Sequence, residues 1–148
     1  MSDVHYRHLE AVFAKARINQ IHYPSAQLKV TDETAEITLA LTPDYHHGMD
    51  AVHGAVYFKM LDDAAYFAAQ SVVTDHFVVT TGFHIHLMRP VATGHITARG
   101  TLRFRSRQLW IADASLLDER GREIACGTGH FAKSQIALHQ PENIDHAP

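Results

Sequence analysis

Between positions 46 and 63 the chain places His46, His47, His53, Gly54, Asp62 and Asp63, all residue types that can do chemistry. The two adjacent histidines stand in a polar loop. His53-Gly54 then opens a run over residues 55–73 that is rich in alanine and other apolar residues, interrupted by the two aspartates. An ionised carboxylate is costly to bury without a partner or a task, which makes both aspartates candidates for acid–base or nucleophilic work. The start of a helix presents free N–H groups and the positive end of a dipole, which suits a developing oxyanion. A glycine there lets a ligand approach the backbone closely. Asp62 lies eight residues beyond Gly54, roughly 12 Å at the helical rise. One reacting carbonyl therefore cannot touch both groups of the same chain. If both act on it, the carboxylate comes from a second copy whose helix runs antiparallel. Asp62 and Asp63 project about 100° apart, so at most one faces such a site.

Other chemistries fit less well. His46, His47 and His53 lack the closely spaced ligand pairs of zinc motifs, so no metal and no organic cofactor is expected. His84 and His86 alternate on one run and read as exposed or interface histidines. The single cysteine, Cys126, rules out an internal disulfide, fits a reducing compartment and reads as a small core residue. No serine sits in a G-x-S-x-G elbow, and no phosphate loop or dinucleotide glycine pattern is present. A net charge of −3 gives no footprint for nucleic acid. Lys59, Asp62 and Asp63 argue against a membrane span, and the N-terminus lacks the pattern of a secretory signal. The expectation is a soluble, cytoplasmic protein with thirteen scattered histidines.

The elements that must position these residues follow from periodicity. The run 55–73 has no proline and no glycine and reads as a long helix, apolar over most of its circumference and hence buried. Residues 2–18 read as an amphipathic helix capped by Ser2 or Asp3, with Leu9, Val12 and Phe13 on one face. Residues 19–24 connect it to strands at 27–30 and 35–41, with a turn at Asp32-Glu33, and 42–52 form a loop. Four strand-like runs follow the long helix, at 77–87, 94–104, 109–117 and 123–132. Short turns between the later ones favour an antiparallel meander. The fold class expected is α+β, one sheet around one apolar helix, as a single domain over residues 1–133. Residues 134–148 are expected to fray. A sheet edge and parts of the helix left uncovered are compatible with a dimer.

His53-Gly54-Ala55 followed by Leu61-Asp62-Asp63-Ala64 resembles the HGG…LxDxA signature of hotdog-fold acyl-CoA thioesterases of the PaaI-like group. Thr80-Thr81 before a strand ending in Met88-Arg89-Pro90 fits the same pattern, as does the closing hairpin from Leu117-Asp118-Glu119 through Gly121 to Ala125, Gly127 and Gly129. The similarity covers roughly residues 25–133. It implies a hotdog fold, a six-stranded antiparallel sheet wrapped around the central helix. It also implies a homodimer with the active site at its interface, and often a dimer of dimers.

The resemblance places Asp62 as the catalytic carboxylate, acting as base or as nucleophile. It makes the Gly54 N–H the group that polarises the thioester carbonyl, with His53 beside it, and Thr80 a positioner of the attacking water. His47 stands where the family often has asparagine, and Asp50 where it often has glycine. His47 is a candidate hydrogen-bond donor to the thioester or an added titrating group. Ala55, Thr81 and Arg89 join the substrate-binding set. Among Arg99, Arg103, Arg105 and Arg107, which share parity on one strand and its end, Arg105 and Arg107 are the candidates for the phosphates of coenzyme A. Asp63 caps, pairs or faces solvent. Two rivals share the fold: an enoyl-thioester hydratase or dehydratase using His47 with Asp62, and a non-catalytic acyl-CoA binder.

Overall fold

In the computed structural model, which describes residues 2–138, the chain runs through α1 (Ser2–Lys15), α2 (Arg17–His22), β1 (Gln27–Thr31), β2 (Thr34–Ala40), a 3-10 turn at Pro43–Tyr45, α3 (Gly54–Gln70), β3 (His76–Leu87), β4 (His95–Arg105), β5 (Leu109–Leu117) and β6 (Glu123–Ala137). The strands make one antiparallel sheet in the order β1-β2-β4-β5-β6-β3. α3 packs against all six of them. The α+β arrangement expected from the sequence is the one observed.

Period-two alternation supplies the sheet's half of the core. Ala35, Ile37 and Leu39 of β2, Ile96 and Ala98 of β4, and Ala112, Ala114 and Leu116 of β5 are all buried. Val56, Met60, Leu61, Ala64, Phe67 and Ala68 supply the half from α3. Each large side chain buried in this way stabilises the fold by about 1.5–3 kcal/mol. Small residues set the helix–sheet distance. A Cβ at Gly100 would lie 2.1 Å from the Ala64 carbonyl oxygen, a backbone atom with no room to yield. Gly100→Ala is therefore expected to destabilise the protein by about 3 kcal/mol, read as a lower denaturant midpoint.

The strand ends match the expected ones to within a residue, except in β6. β6 continues through Ser134–Ala137 as a partner for the start of β3, with Ala137 opposite His76. The Ser134 hydroxyl donates to the Phe77 carbonyl, the Leu138 N–H to the Asp75 carbonyl at 3.0 Å, and Leu138 is buried. Fraying from Ser134 is thus corrected for residues 134–138. The remainder of the expected tail, 139–148, lies outside the described residues.

The helices also end differently from expectation, and buried amides are the reason. The run 55–73 stops being helical at Gln70. That side chain is fully buried, donates to the Val73 and His76 carbonyls at 2.8 and 2.9 Å, and accepts from the Val78 N–H at 2.9 Å. It ties the turn that feeds β3. The helix expected over 2–18 breaks at Ala16, whose backbone is extended, and the Asn19 amide donates to the Phe13 carbonyl across the break at 2.8 Å.

The two sheet edges are unlike. Along β1 the Glu10 carboxylate accepts from the Val30 N–H at 2.8 Å, and the Arg7 guanidinium donates to the Val30 carbonyl at 3.0 Å, so α1 covers that edge. β3 forms the other edge. Among the described residues no element lies along its outer side, and residues 79–82, 84 and 86–87 of it are exposed. A long edge strand left open is a template for a second chain.

Candidate active site

Asp62 sits midway along α3, on the side turned toward β3. Its Oδ1 accepts a hydrogen bond from the Thr80 hydroxyl at 2.9 Å. The pair lines a cavity of about 300 Å³ whose other walls include Val12, Phe13, Asn19, Tyr66, Phe67 and Phe77. These largely apolar surroundings act on the titration of Asp62. Burial raises its carboxyl above the ordinary aspartate range, the Thr80 hydrogen bond pulls it down, the charge of Asp63 raises it, and Lys59 lowers it. The result is a carboxylate that holds a proton more readily than a free one, as suits a base.

Asp63 has a partner. One helical turn back, Lys59 forms an ion pair with it. The Lys59 ammonium lies 5.4 Å from the centre of the Phe13 ring and 5.2 Å from that of Tyr23. Burial raises the Asp63 carboxyl and Lys59 opposes the rise. Of the roles expected for Asp63, pairing is the one observed. Tyr66, a turn beyond Asp62, has its hydroxyl raised by burial and by both aspartates, so it stays protonated beside them.

The Thr80 bond gives a pH prediction. A base works when ionised, so activity is lost as pH falls through its pKa. Thr80→Val removes the contact that lowers the Asp62 pKa, so that pKa rises further. The acid limb of the kcat/KM profile is expected to move to higher pH in this isosteric variant. An unmoved limb would separate Thr80 from the titrating group.

The other half of the predicted site lies at the start of α3. His53 is the N-cap, its Nδ1 accepting from the Ala55 N–H at 2.9 Å. The Ala55 amide is thereby committed to the cap. Gly54 is the first helical residue, with no intrahelical partner for its N–H, and among the described residues nothing accepts from it. Gly54 lines a second cavity, of about 320 Å³, with His47, Ala51, Val52, Tyr57, Leu87, Met88, Arg89 and Pro90. The Tyr57 hydroxyl donates to the Arg89 carbonyl at 2.8 Å and fixes this wall. His47 accepts from the Met49 N–H through Nδ1 at 3.0 Å, and its ring centre lies 6.4 Å from that of His53. Asp50 has φ +61°, a conformation glycine takes freely and aspartate tolerates better than most residues.

Gly54, His47 and Arg89 thus meet in one cavity, and Asp62 and Thr80 in another. The remaining candidates lie apart from both. The Thr81 hydroxyl donates to the His130 carbonyl at 3.2 Å. Arg105 faces Glu33 at 3.8 Å, near the C-terminal end of α3, where the Glu33 N–H donates to the Ser71 hydroxyl at 2.9 Å. Arg107 is exposed in the turn between β4 and β5. Arg99 and Arg103 pair with Glu36 and Asp113 at 3.1 and 3.4 Å. Within one chain, then, Arg105 and Arg107 are not brought to either cavity. Sequence reasoning missed the wall that α1 and α2 give the Asp62 cavity, Asn19 included. The apolar face of α1 was the available signal, but it does not say which element it covers.

A family model described as the thioesterase superfamily matches residues 49–125, just over half of the chain. The chain belongs to the thioesterase superfamily. The matched span holds Gly54, Asp62 and Thr80, and so reaches both cavities. No curated protein matches the sequence. Solved structures show the hotdog fold of this thioesterase-superfamily chain. The PaaI protein of E. coli, from its phenylacetic acid degradation operon, has a TM-score of 0.83 at 18% identity, over 93% of this chain and 99% of that one. A thioesterase from Haemophilus influenzae has a TM-score of 0.76 at 15% identity, over 90% of this chain and 93% of that one. A conserved protein from Pseudomonas aeruginosa has a TM-score of 0.75 at 19% identity, covering 83% and 98%. The PaaI-like hotdog architecture expected from His53-Gly54 and Asp62 is therefore found. Among the described residues no helix is long and apolar enough to cross a membrane.

Proposed function

We propose that the protein is a homodimeric acyl-CoA thioesterase whose active site is shared between two subunits. The observation that carries this reading is the Asp62–Thr80 hydrogen bond of 2.9 Å at a mainly apolar cavity. It joins Asp62 of α3 to Thr80, eighteen positions on in sequence, on the strand that forms the open edge.

That edge also supports the sharing. Thr80, in the first half of β3, lines the Asp62 cavity, and Leu87, at its end, lines the Gly54 cavity. A second copy laid antiparallel along β3 brings the Thr80 end of one subunit against the Leu87 end of the other. Each Asp62 then faces a Gly54 from across the twofold axis, and the roughly 12 Å that separates the two along one helix is bridged.

In this arrangement Asp62 takes the proton of a water that Thr80 helps to hold as that water attacks the carbonyl, or Asp62 attacks the carbonyl to give a mixed anhydride that water then hydrolyses. On either route the C–S bond breaks and coenzyme A leaves as the thiol after taking up a proton. The Gly54 N–H of the other subunit receives the developing oxyanion at the positive end of α3. His53, already fixed as the cap, and His47 orient the thioester. Arg89 at the same cavity offers a charge to coenzyme A, and Arg105 or Arg107 reach it only from a neighbouring subunit. The acyl chain occupies the cavity walled by Phe13, Tyr66, Phe67 and Phe77.

The test is thiol release from short, long and aromatic acyl-CoAs and from a 2-enoyl-CoA. Free thiol with the wild type and none with Asp62→Asn supports hydrolysis. Loss of enoyl absorbance without thiol supports hydration, and binding without turnover supports a carrier.

A further inference from the structure

Outside both cavities, β3 carries two histidines that neither the fold nor the proposed hydrolysis uses. His84 and His86 are exposed and alternate with Phe83 and Ile85, which pack against the core, so both imidazoles stand on the outer face of the sheet. Their Nε2 atoms are 3.1 Å apart, with ring centres 4.6 Å apart and planes inclined by 72°. A head-on N–H···N bond would hold the ring centres roughly 5.4 Å apart. The observed 4.6 Å is shorter, so the rings are canted off the line joining the two nitrogens. An ion about 2.05 Å from each nitrogen would see them at an angle of about 100°. That angle lies between the requirements of square and tetrahedral coordination.

The geometry points to His84 and His86 as a chelating pair for a divalent transition metal ion of the kind imidazole favours, zinc being the probe to use. Among the described residues of one chain no three histidine, cysteine or acidic side chains come together to hold a metal. The pair therefore needs further ligands, and its place on β3 supplies them. This step rests on the dimer proposed above. With Thr80 of one subunit opposite Leu87 of the other, and the bulged residue Thr81 left out of the ladder, the midpoint of the paired strands falls at His84. Residues on the same face meet across an antiparallel pair. The four imidazoles of two subunits then gather around the axis on the outer face, and one ion clips the two edges together.

Zinc titration by calorimetry, paired with sedimentation of the same samples, tests this. Wild-type protein is expected to bind one ion per two chains. His84→Ala/His86→Ala is expected to weaken binding by about 100-fold or more. His84→Gln/His86→Gln should do the same while keeping a polar strand, and a wild-type melting curve for it excludes misfolding as the cause. A dimer that binds no zinc, or binds it equally well in both variants, overturns the inference and leaves the dimer standing. One ion per chain overturns the shared shell. A monomer at every zinc concentration overturns the shared active site as well.

Discussion

Asp62→Asn is expected to lower kcat for thioester hydrolysis about 1,000-fold while raising the melting temperature at neutral pH. Both effects have the same origin. Burial makes the Asp62 carboxyl hold its proton more tightly in the folded protein than in the unfolded chain. Between the ordinary aspartate pKa and the raised one, the native state binds more protons, so stability falls as pH rises through that window. Above it the ionised carboxylate costs stability in full. Asparagine removes the charge, and its side-chain oxygen still accepts from the Thr80 hydroxyl. The gain in melting temperature should vanish in acid below the ordinary aspartate pKa, where Asp62 is protonated in both states. A variant that is inactive and less stable at neutral pH would mean that Asp62 holds the fold rather than the reaction.

Gly54→Pro is expected to lower kcat about 100- to 1,000-fold with the fold retained. Proline removes the N–H and nothing else that the helix uses, because the first helical position lacks an intrahelical acceptor. The local backbone accepts it: His53 has φ −64° and ψ 141°, the extended conformation that a residue before proline prefers. Gly54→Ala is the control. Its Cβ would lie 2.9 Å from Leu87 Cδ1, the end of a flexible and exposed side chain. Alanine keeps the N–H, so this variant should retain most of the activity. Equal losses in the two variants would show that space at Gly54, not its N–H, is what the reaction needs.

The sequence showed some of these features and concealed others, for definite reasons. Period-two alternation is local, so β5 begins at Leu109 and ends at Leu117, as the pattern predicted. The burial of α3 was likewise readable from its alanines. The helix ends were not, because Gln70 and Asn19 reach carbonyls at His76 and Phe13, which no propensity of their own segment announces. The arginines show the limit of parity. Spacing put four of them on one face, but their partners Glu36, Asp113 and Glu33 come from β2, β5 and the β1–β2 turn, set by strand register. A bulge between Leu102 and Phe104 also breaks the alternation before Arg105. In the site, the spacing of Gly54 and Asp62 implies two chains if both groups act on one carbonyl. The wall from Val12 to Asn19 depends on where α1 comes to rest, and a sequence without its topology does not state that.

Subunit mixing tests the shared site most directly. Asp62→Asn and Gly54→Pro proteins, each nearly inactive alone, are combined in equal amounts and allowed to exchange subunits. Half of the resulting dimers are mixed, and each mixed dimer holds one site with both groups intact, so activity should recover to about a quarter of wild type. Mixed dimers that form, as seen by mass, yet turn over no faster than the parents would contradict a carboxylate and an amide donated by different chains.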